Sequence, residues 1–271
     1  EYAPRKWAPL VFSIKQTGVP AGVAISGLVL VPLAVGYGWR MTLTYTALIC
    51  VIIAIVLQPL REEFDKKRDP TEIPRWSDFI SNIKDVLSQG QRREMAIAAF
   101  SFVGMQSVYT NFTITYLYED LGFSLEEAGE ILGFATLIAI PARILWGWVG
   151  STIFQPRVLL AFLALVMAVS TALMGAFDDQ WGHVAVLIVN CAISLSVLSW
   201  HGVLLSEAAR LAPAGEAGRL TGGVLAFGAL GQIIFPMIFA AGYWLSGYGL
   251  AFTVISLPAA MVGVIFLLWR R

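Results

Sequence analysis

Apolar residues come in eight long runs separated by short polar stretches, near 16–36, 41–59, 95–118, 128–149, 158–177, 183–206, 220–244 and 250–269. Each is close to the roughly 20 residues that a helix needs to cross the hydrocarbon core. None alternates apolar and polar positions with period two, and each is about twice as long as a barrel strand of about 10 residues. The pattern therefore predicts an all-α bundle of eight transmembrane helices. The first run carries Lys15 at its start and lacks a small-residue cleavage pattern, which separates it from a secretory leader.

One further segment reads as helix. Over 74–93, Trp76, Phe79, Ile80, Ile83, Val86 and Leu87 follow helical spacing on one face, and charged residues take the other. This is the pattern of an amphipathic helix lying on a membrane surface, here as a connector between two bundles.

Composition agrees with the spans. The chain is 58% hydrophobic and 13% charged, with a mean hydropathy of +0.74, whereas soluble domains are about half apolar and a quarter charged. The net charge of zero hides an asymmetry. If all eight runs cross, 17 of the 18 Lys and Arg residues fall on one side and Arg40 alone on the other. The positive-inside rule makes the basic side cytoplasmic, with the C-terminus there too. The opposite loops carry Glu119, Asp120, Glu126, Glu127, Glu130, Asp178 and Asp179. The basic residues are thus explained by topology and need no nucleic-acid partner. Cys50 and Cys191 sit inside spans, so neither a disulfide framework nor a metal site is expected. Asn111-Phe-Thr113 matches a glycosylation acceptor but also lies inside a span. No cofactor is implied.

The chain also repeats itself. Thr17-Gly18 is followed fifteen residues later by Pro32, and Thr221-Gly222 fifteen residues later by Pro236. After these prolines come Gly36-Tyr37-Gly38 and Gly247-Tyr248-Gly249. Both copies enter from the basic side, which points to two parallel halves. On that model the first half would begin about 110 residues before Glu1, with room for four further spans. These helices are expected either in a longer reading frame or in a partner membrane chain. The expected division is 1–60 for the end of a first six-helix bundle, 61–94 for a cytoplasmic connector and 95–271 for a second six-helix bundle.

Several stretches resemble the major facilitator superfamily. The run Gly18-Val-Pro-Ala-Gly22 through Val31-Pro32 to Gly38-Trp39-Arg40 is similar to that family's fifth and sixth helices. Tyr116-Leu-Tyr-Glu-Asp-Leu-Gly-Phe-Ser-Leu-Glu-Glu-Ala-Gly129 resembles the connection from the seventh helix to the eighth. Ala142-Arg143-Ile-Leu-Trp-Gly147-Trp-Val-Gly150 resembles the end of the eighth helix, and Trp200-His-Gly-Val-Leu-Leu-Ser-Glu207-Ala-Ala-Arg210-Leu-Ala-Pro213 that of the tenth. The resemblance covers the whole chain as helices five to twelve, and the nearest pattern is that of bacterial carriers of small organic anions and related metabolites. It departs in two places. Gly150-Ser151-Thr152 replaces the family's loop aspartate, which helps to latch the cytoplasmic side, and His201 stands where asparagine is common.

The resemblance implies a secondary active transporter in the cell's inner membrane. It would move a small polar metabolite or organic anion by alternating access, with a coupling proton or ion as a further partner. The rival is a non-transporting membrane subunit or assembly factor of the same fold. The expected partners are thus a small-molecule substrate and the lipid bilayer. No enzyme is expected: His183 and His201 lack carboxylates at useful spacing. Substrate sites in such folds lie near the midplane, where Gln106, Tyr109, Thr110 and Thr113 of the third span, Asn190, Ser194 and His201 of the sixth and Gln232 of the seventh are the polar candidates. Such side chains can equally bond helix to helix. Trp200 and Phe227 are candidate walls. Arg143, Glu207 and Arg210 lie toward the basic side as a candidate gate, against the alternative of charges snorkelling to water. Any proton-coupling group would be a carboxylate outside this chain, or His201. Gly18, Gly22 and Ser26 are expected to form a small-residue ridge against the fourth span, with Gly223, Gly228 and Gly231 doing the same against a helix of the first half.

Overall fold

The computed structural model describes residues 13–61, 75–178 and 180–268. Arg5, Lys6, Lys66, Lys67, Arg68, Asp179, Arg270 and Arg271 lie outside the described residues. The architecture is all-α. In chain order, α1 is Ser13–Tyr37, α2 Trp39–Leu57, α3 Trp76–Ser88, α4 Gly90–Glu119, α5 Leu125–Thr152, α6 Pro156–Met174, α7 His183–Val197, α8 His201–Arg210 and α9 Ala217–Leu268. Within α9, Ser246 and Gly247 leave helical geometry, Gly247 with φ 79°, so the element is two arms, 217–245 and 248–268. Six elements are long and apolar enough to cross a membrane, counting α7 with α8 and both arms of α9 as one each. The 30-residue α4 is also long enough, at roughly 1.5 Å per residue. The eight predicted runs are thus all found as helix.

The repeated Gly-Tyr-Gly tripeptides mark two chain reversals. Gly38, with φ 84°, separates α1 from α2, and Gly247 separates the arms of α9. A left-handed φ strains any residue that carries a Cβ, so glycine is required at each. Pro32 explains a second irregularity. It offers no N–H, and just before it the ladder slips into a π segment, Ser26–Leu30, where the Val31 N–H bonds to Ser26 O.

The core lies among α4 to α9. Its centre is α4, packed along α9, while α9 also packs on α6 and α7 packs on α5 and α6. Phe102, Met105, Leu160, Leu163, Phe235, Phe239 and Phe252 are almost wholly buried there. Ser124 caps α5 reciprocally: its Oγ accepts from the Glu127 N–H at 3.2 Å, and Glu127 Oε2 accepts from the Ser124 N–H at 2.9 Å. Glu126, Glu127 and Glu130, expected in a loop, therefore form the first turns of α5, where carboxylates favour the positive end of the helix dipole.

The glycine contacts differ from expectation. A Cβ on Gly18 or Gly22 would meet nothing within 4 Å. The α1 glycine that touches α5 is Gly27, in the π segment, against the backbone of Gly129 and Gly133. The partner helix is the expected one, but the π segment has turned a different residue onto it. In α9, Gly223 faces Asn82 and Val86 of α3, Gly228 faces Val103 and Gly231 faces the Phe100 carbonyl of α4. That ridge therefore closes on the chain's own connector and core.

The connector helix is also shorter than expected. It ends at Ser88, and residues 90–93 begin α4. Its inner edge is Asn82, Asp85 and Val86. The Asn82 amide donates to Arg219 O at 2.8 Å, and Asp85 pairs with Arg92 at 2.8 Å and Arg219 at 3.0 Å. Trp76, Phe79, Ile80 and Leu87 point outward and are exposed.

Candidate functional site

The sixth predicted span is not one helix. It breaks at 198–200 between α7 and α8. Inside a membrane a freed backbone carbonyl costs several kcal/mol unless something bonds it. Here side chains of α5 and of the break itself do so. Arg143 Nε, from α5, donates to Leu198 O at 2.5 Å. Trp146 Nε1, one turn on, donates to Leu195 O at 2.9 Å. Trp200 Nε1 donates to Val197 O at 2.8 Å, and Ser199 Oγ donates to Ser194 O at 3.2 Å. The spacing of Arg143 and Trp146 places both on one face of α5, so a single helix face staples the break.

Arg143 is the centre of this site. It is 1% exposed, yet it carries five N–H donors and a permanent charge. Its Nη1 donates to the carbonyl of Gln16 in α1, and its Nη2 lies 3.4 Å from His201 Nδ1. No carboxylate among the described residues lies within ion-pair distance of it. The positive charge is met by two backbone carbonyls and the His201 ring nitrogen, and one of the carbonyls belongs to α1. A second contact joins α8 to α1: Gly202 packs so closely on Ser13 that a Cβ there would overlap the Ser13 hydroxyl. The His201 ring stacks on Trp200 at 3.7 Å, and Trp200 meets Phe102 edge-on at 5.4 Å.

Arg143 and Glu207, expected to face each other as a gate, do not pair. Glu207 is held by Arg210 on its own helix, with oxygen to nitrogen distances of 2.6 and 2.8 Å. A partner three residues away is reached at less entropic cost than one on another helix.

The polar residues of α4 and α7 form a second cluster, which meets the break at Ser194. The Tyr109 hydroxyl lies 3.0 Å from Ser194 Oγ and 3.4 Å from Asn190 O. Asn190 Nδ2 donates to Val186 O at 2.9 Å. All three residues are buried, and they bond α4 to α7. Thr113 and Thr110 turn their hydroxyls back onto Tyr109 O at 2.5 Å and Gln106 O at 2.9 Å. Two acceptors stay open: Asn190 Oδ1 and Gln106 Oε1 are buried without a hydrogen-bond partner. Gln232 is exposed on α9, and only its backbone carbonyl joins α4, accepting from Ser107 Oγ at 3.4 Å. Trp200, expected as a cavity wall, is wholly buried core. Phe227 is only partly buried.

Sequence reading missed Ser13, Gln16, Trp146 and the Leu198 carbonyl. The serines at 194, 196 and 199 were the available signal for the break, since hydroxyls compete for helix carbonyls.

Broken intramembrane helices around a buried charge define the class of protein, a helical membrane bundle with a site between its elements. Residues 1–236 match the family model of the Major Facilitator Superfamily. The chain belongs to that superfamily. Two proteins of Mycobacterium tuberculosis strains, each named "Probable nitrate/nitrite transporter NarK2", are 35% identical over 138 residues, which is 50% of this chain and 33% of each relative. The match thus takes in a third of the relatives' length. Among solved structures, the fucose:proton symporter FucP of E. coli superposes with a TM-score of 0.62 at 18% identity, over 87% of this chain and 58% of that one. The human organic anion transporter MFSD10 gives 0.59 at 15% identity, over 97% and 67%. These two likenesses concern the fold.

Proposed function

We propose that the protein is a secondary carrier of a small anion, working by alternating access in the inner membrane. The observation that supports this reading is Arg143, a buried guanidinium with no carboxylate among the described residues within ion-pair distance, held instead by two backbone carbonyls and the His201 ring. A buried cation balanced only by dipoles is ready for an anionic ligand, because charge-assisted bonds are about twice as strong as neutral ones. The name of the mycobacterial relatives, which specifies nitrate and nitrite, fits a small anion.

In the proposed cycle the two rocking units are the bundle of 95–271 and a first half that includes 1–60, joined by 61–94, with the basic face and the C-terminus in the cytoplasm. Arg143 lies where they meet. An anion that engages the guanidinium competes with the Gln16 carbonyl, so its arrival loosens the hold of α5 on α1. A ligand can drive such a change only through differential contacts in the two states, and this is one. Gln106 and Asn190, with their open acceptors, are proposed to face the cavity of another conformer. His201, beside Arg143, is the proposed candidate within this chain for a coupling proton.

The test is uptake of labelled nitrate, nitrite and small carboxylates into proteoliposomes, using the complete reading frame and the variants Arg143→Gln and Arg143→Lys. A lost bidentate contact to a charge is worth about 1.5–3 kcal/mol, so KM should rise about 10- to 100-fold in Arg143→Gln. The lysine variant should recover part of it, since it restores charge without the planar fork. An unchanged KM in Arg143→Gln would sink the anion reading.

A further inference from the structure

Apart from the Arg143 site, the ends of α4, α6 and the second arm of α9 line a cavity of about 430 Å³. Its lining is Gln89, Gly90, Gln91, Arg93, Glu94, Ile97, Arg157 and Ile265. We infer that this cavity binds the phosphate headgroup of an anionic phospholipid, with Arg93 and Arg157 as its cationic partners.

The chemistry of the lining is divided. Two guanidiniums and two primary amides stand at the polar end, against the single carboxylate of Glu94. That carboxylate is already engaged by Arg157 Nη1. Arg157 is otherwise fixed by its Nε, which donates to Phe266 O at 3.2 Å, and its charge lies 5.1 Å from the Phe266 ring centre. Its remaining nitrogen, Nη2, is buried and makes no hydrogen bond. A buried donor on a charged group without an acceptor is costly, and a phosphate oxygen would remove that cost. Arg93 is exposed and contributes mobile charge at the mouth.

The other end is apolar. Ile97 is 46% exposed and Ile265 lies beside it in the lining. Leu267 and Leu268, at the end of α9, are 43% and 79% exposed. A free phosphate would gain nothing from these residues, whereas an acyl chain would cover them. The cavity also lies at helix ends, on the side that the charge pattern assigns to the cytoplasm. Basic pockets between helices at that depth suit anionic headgroups.

Native mass spectrometry and thermal melting of the complete protein in detergent test the assignment. Phosphatidylglycerol, phosphatidylethanolamine and inorganic phosphate are titrated separately. Phosphatidylglycerol should bind and raise the melting temperature, and the other two should do neither. Arg93→Gln, an exposed substitution that leaves lipid-free melting unchanged, should weaken phosphatidylglycerol about tenfold. Glu94→Gln should tighten it, because the competing carboxylate is gone. Three outcomes would overturn the proposal. One is wild-type binding in both Arg93→Gln and the Arg93→Gln/Arg157→Gln double variant. Another is equal stabilisation by phosphatidylethanolamine. The third is equal stabilisation by inorganic phosphate, which would make the ligand a free anion.

Discussion

Substituting Gly27 and Gly22 by alanine, one at a time, should move stability in opposite directions. On Gly27 the new Cβ would lie 2.5 Å from Gly129 O, 2.9 Å from Gly133 N and 3.0 Å from Gly133 Cα. All three are backbone atoms of α5, so no side chain can rotate away. Reaching an ordinary contact of about 3.4 Å requires α1 to lift from α5 by nearly 1 Å, and the neighbouring contacts of Leu28 with Gly133 and Val31 with Gly129 are stretched with it. Overpacking of this kind costs about 1–3 kcal/mol. Alanine's better helix propensity returns somewhat less than about 1 kcal/mol, so the variant ends destabilised. Gly22, one and a half turns away, meets nothing within 4 Å. There the propensity gain stands alone, at about 0.8–1 kcal/mol. For a chain of this size these changes correspond to melting shifts of about 2–4 °C per kcal/mol. Thermal melting of the purified protein, followed by tryptophan fluorescence, reads both. If Gly22→Ala lowers the melting temperature as much as Gly27→Ala, the small-residue ridge uses the face read from sequence spacing, and the contact assigned to the π segment is wrong.

Three other outcomes follow from the contacts. Tyr109→Phe removes the hydroxyl shared with Ser194 in a buried site and should cost about 1–2 kcal/mol of stability, measured by melting; no loss would mean that the α4–α7 cluster contributes nothing. Asp85→Asn breaks both ion pairs that fasten α3 to Arg92 and Arg219, and should hasten trypsin cleavage in 75–93 while Glu207→Gln, whose Arg210 partner is 65% exposed, changes melting by less than about 1 kcal/mol. Cysteine probes placed in 75–92 should label only from the cytoplasm and probes in 120–127 only from outside, and labelling of both from one side would refute the topology.

The helices themselves were legible because a membrane span has to be apolar for about 20 residues, and hydropathy reports that directly. Their rotation was not. A helix that is greasy around its whole circumference has no polar face to fix its phase. For α1 the small-residue spacing pointed to Gly18, Gly22 and Ser26, and the π segment brought Gly27 onto α5 instead. Pro32 and the Gly-Tyr-Gly tripeptides, read from sequence as marks of a repeat, also sit beside the π segment and at the two left-handed glycines. The break at 198–200 carries neither glycine nor proline. It is held open by Arg143 and Trp146, about fifty residues earlier, so the local window offered only the serines at 194, 196 and 199 as a sign of it. The same holds for the gate. Sequence depth placed Arg143 and Glu207 at comparable levels, but depth leaves each helix free to turn, and Glu207 had a nearer partner in Arg210.

The arrangement around Arg143 links the structural question to the functional one. A charged side chain deep in a bundle is retained only where something offsets its burial. A carboxylate would do this permanently and would leave the arginine inert. Backbone carbonyls do it weakly, and the one from Gln16 does so across the contact between α1 and α5. The balance can therefore be tipped by a ligand of modest affinity. For two states a few kcal/mol apart, shifting the population from 1:99 to 99:1 takes about 5.5 kcal/mol of differential binding. Two or three charge-assisted bonds of about 1.5–3 kcal/mol each lie in that range. An Arg143 paired with Glu207 would have required the anion to displace a full charge first. The observed pairing of Glu207 with Arg210 keeps that competitor away, and this is why the absent Arg143–Glu207 gate supports anion carriage by Arg143.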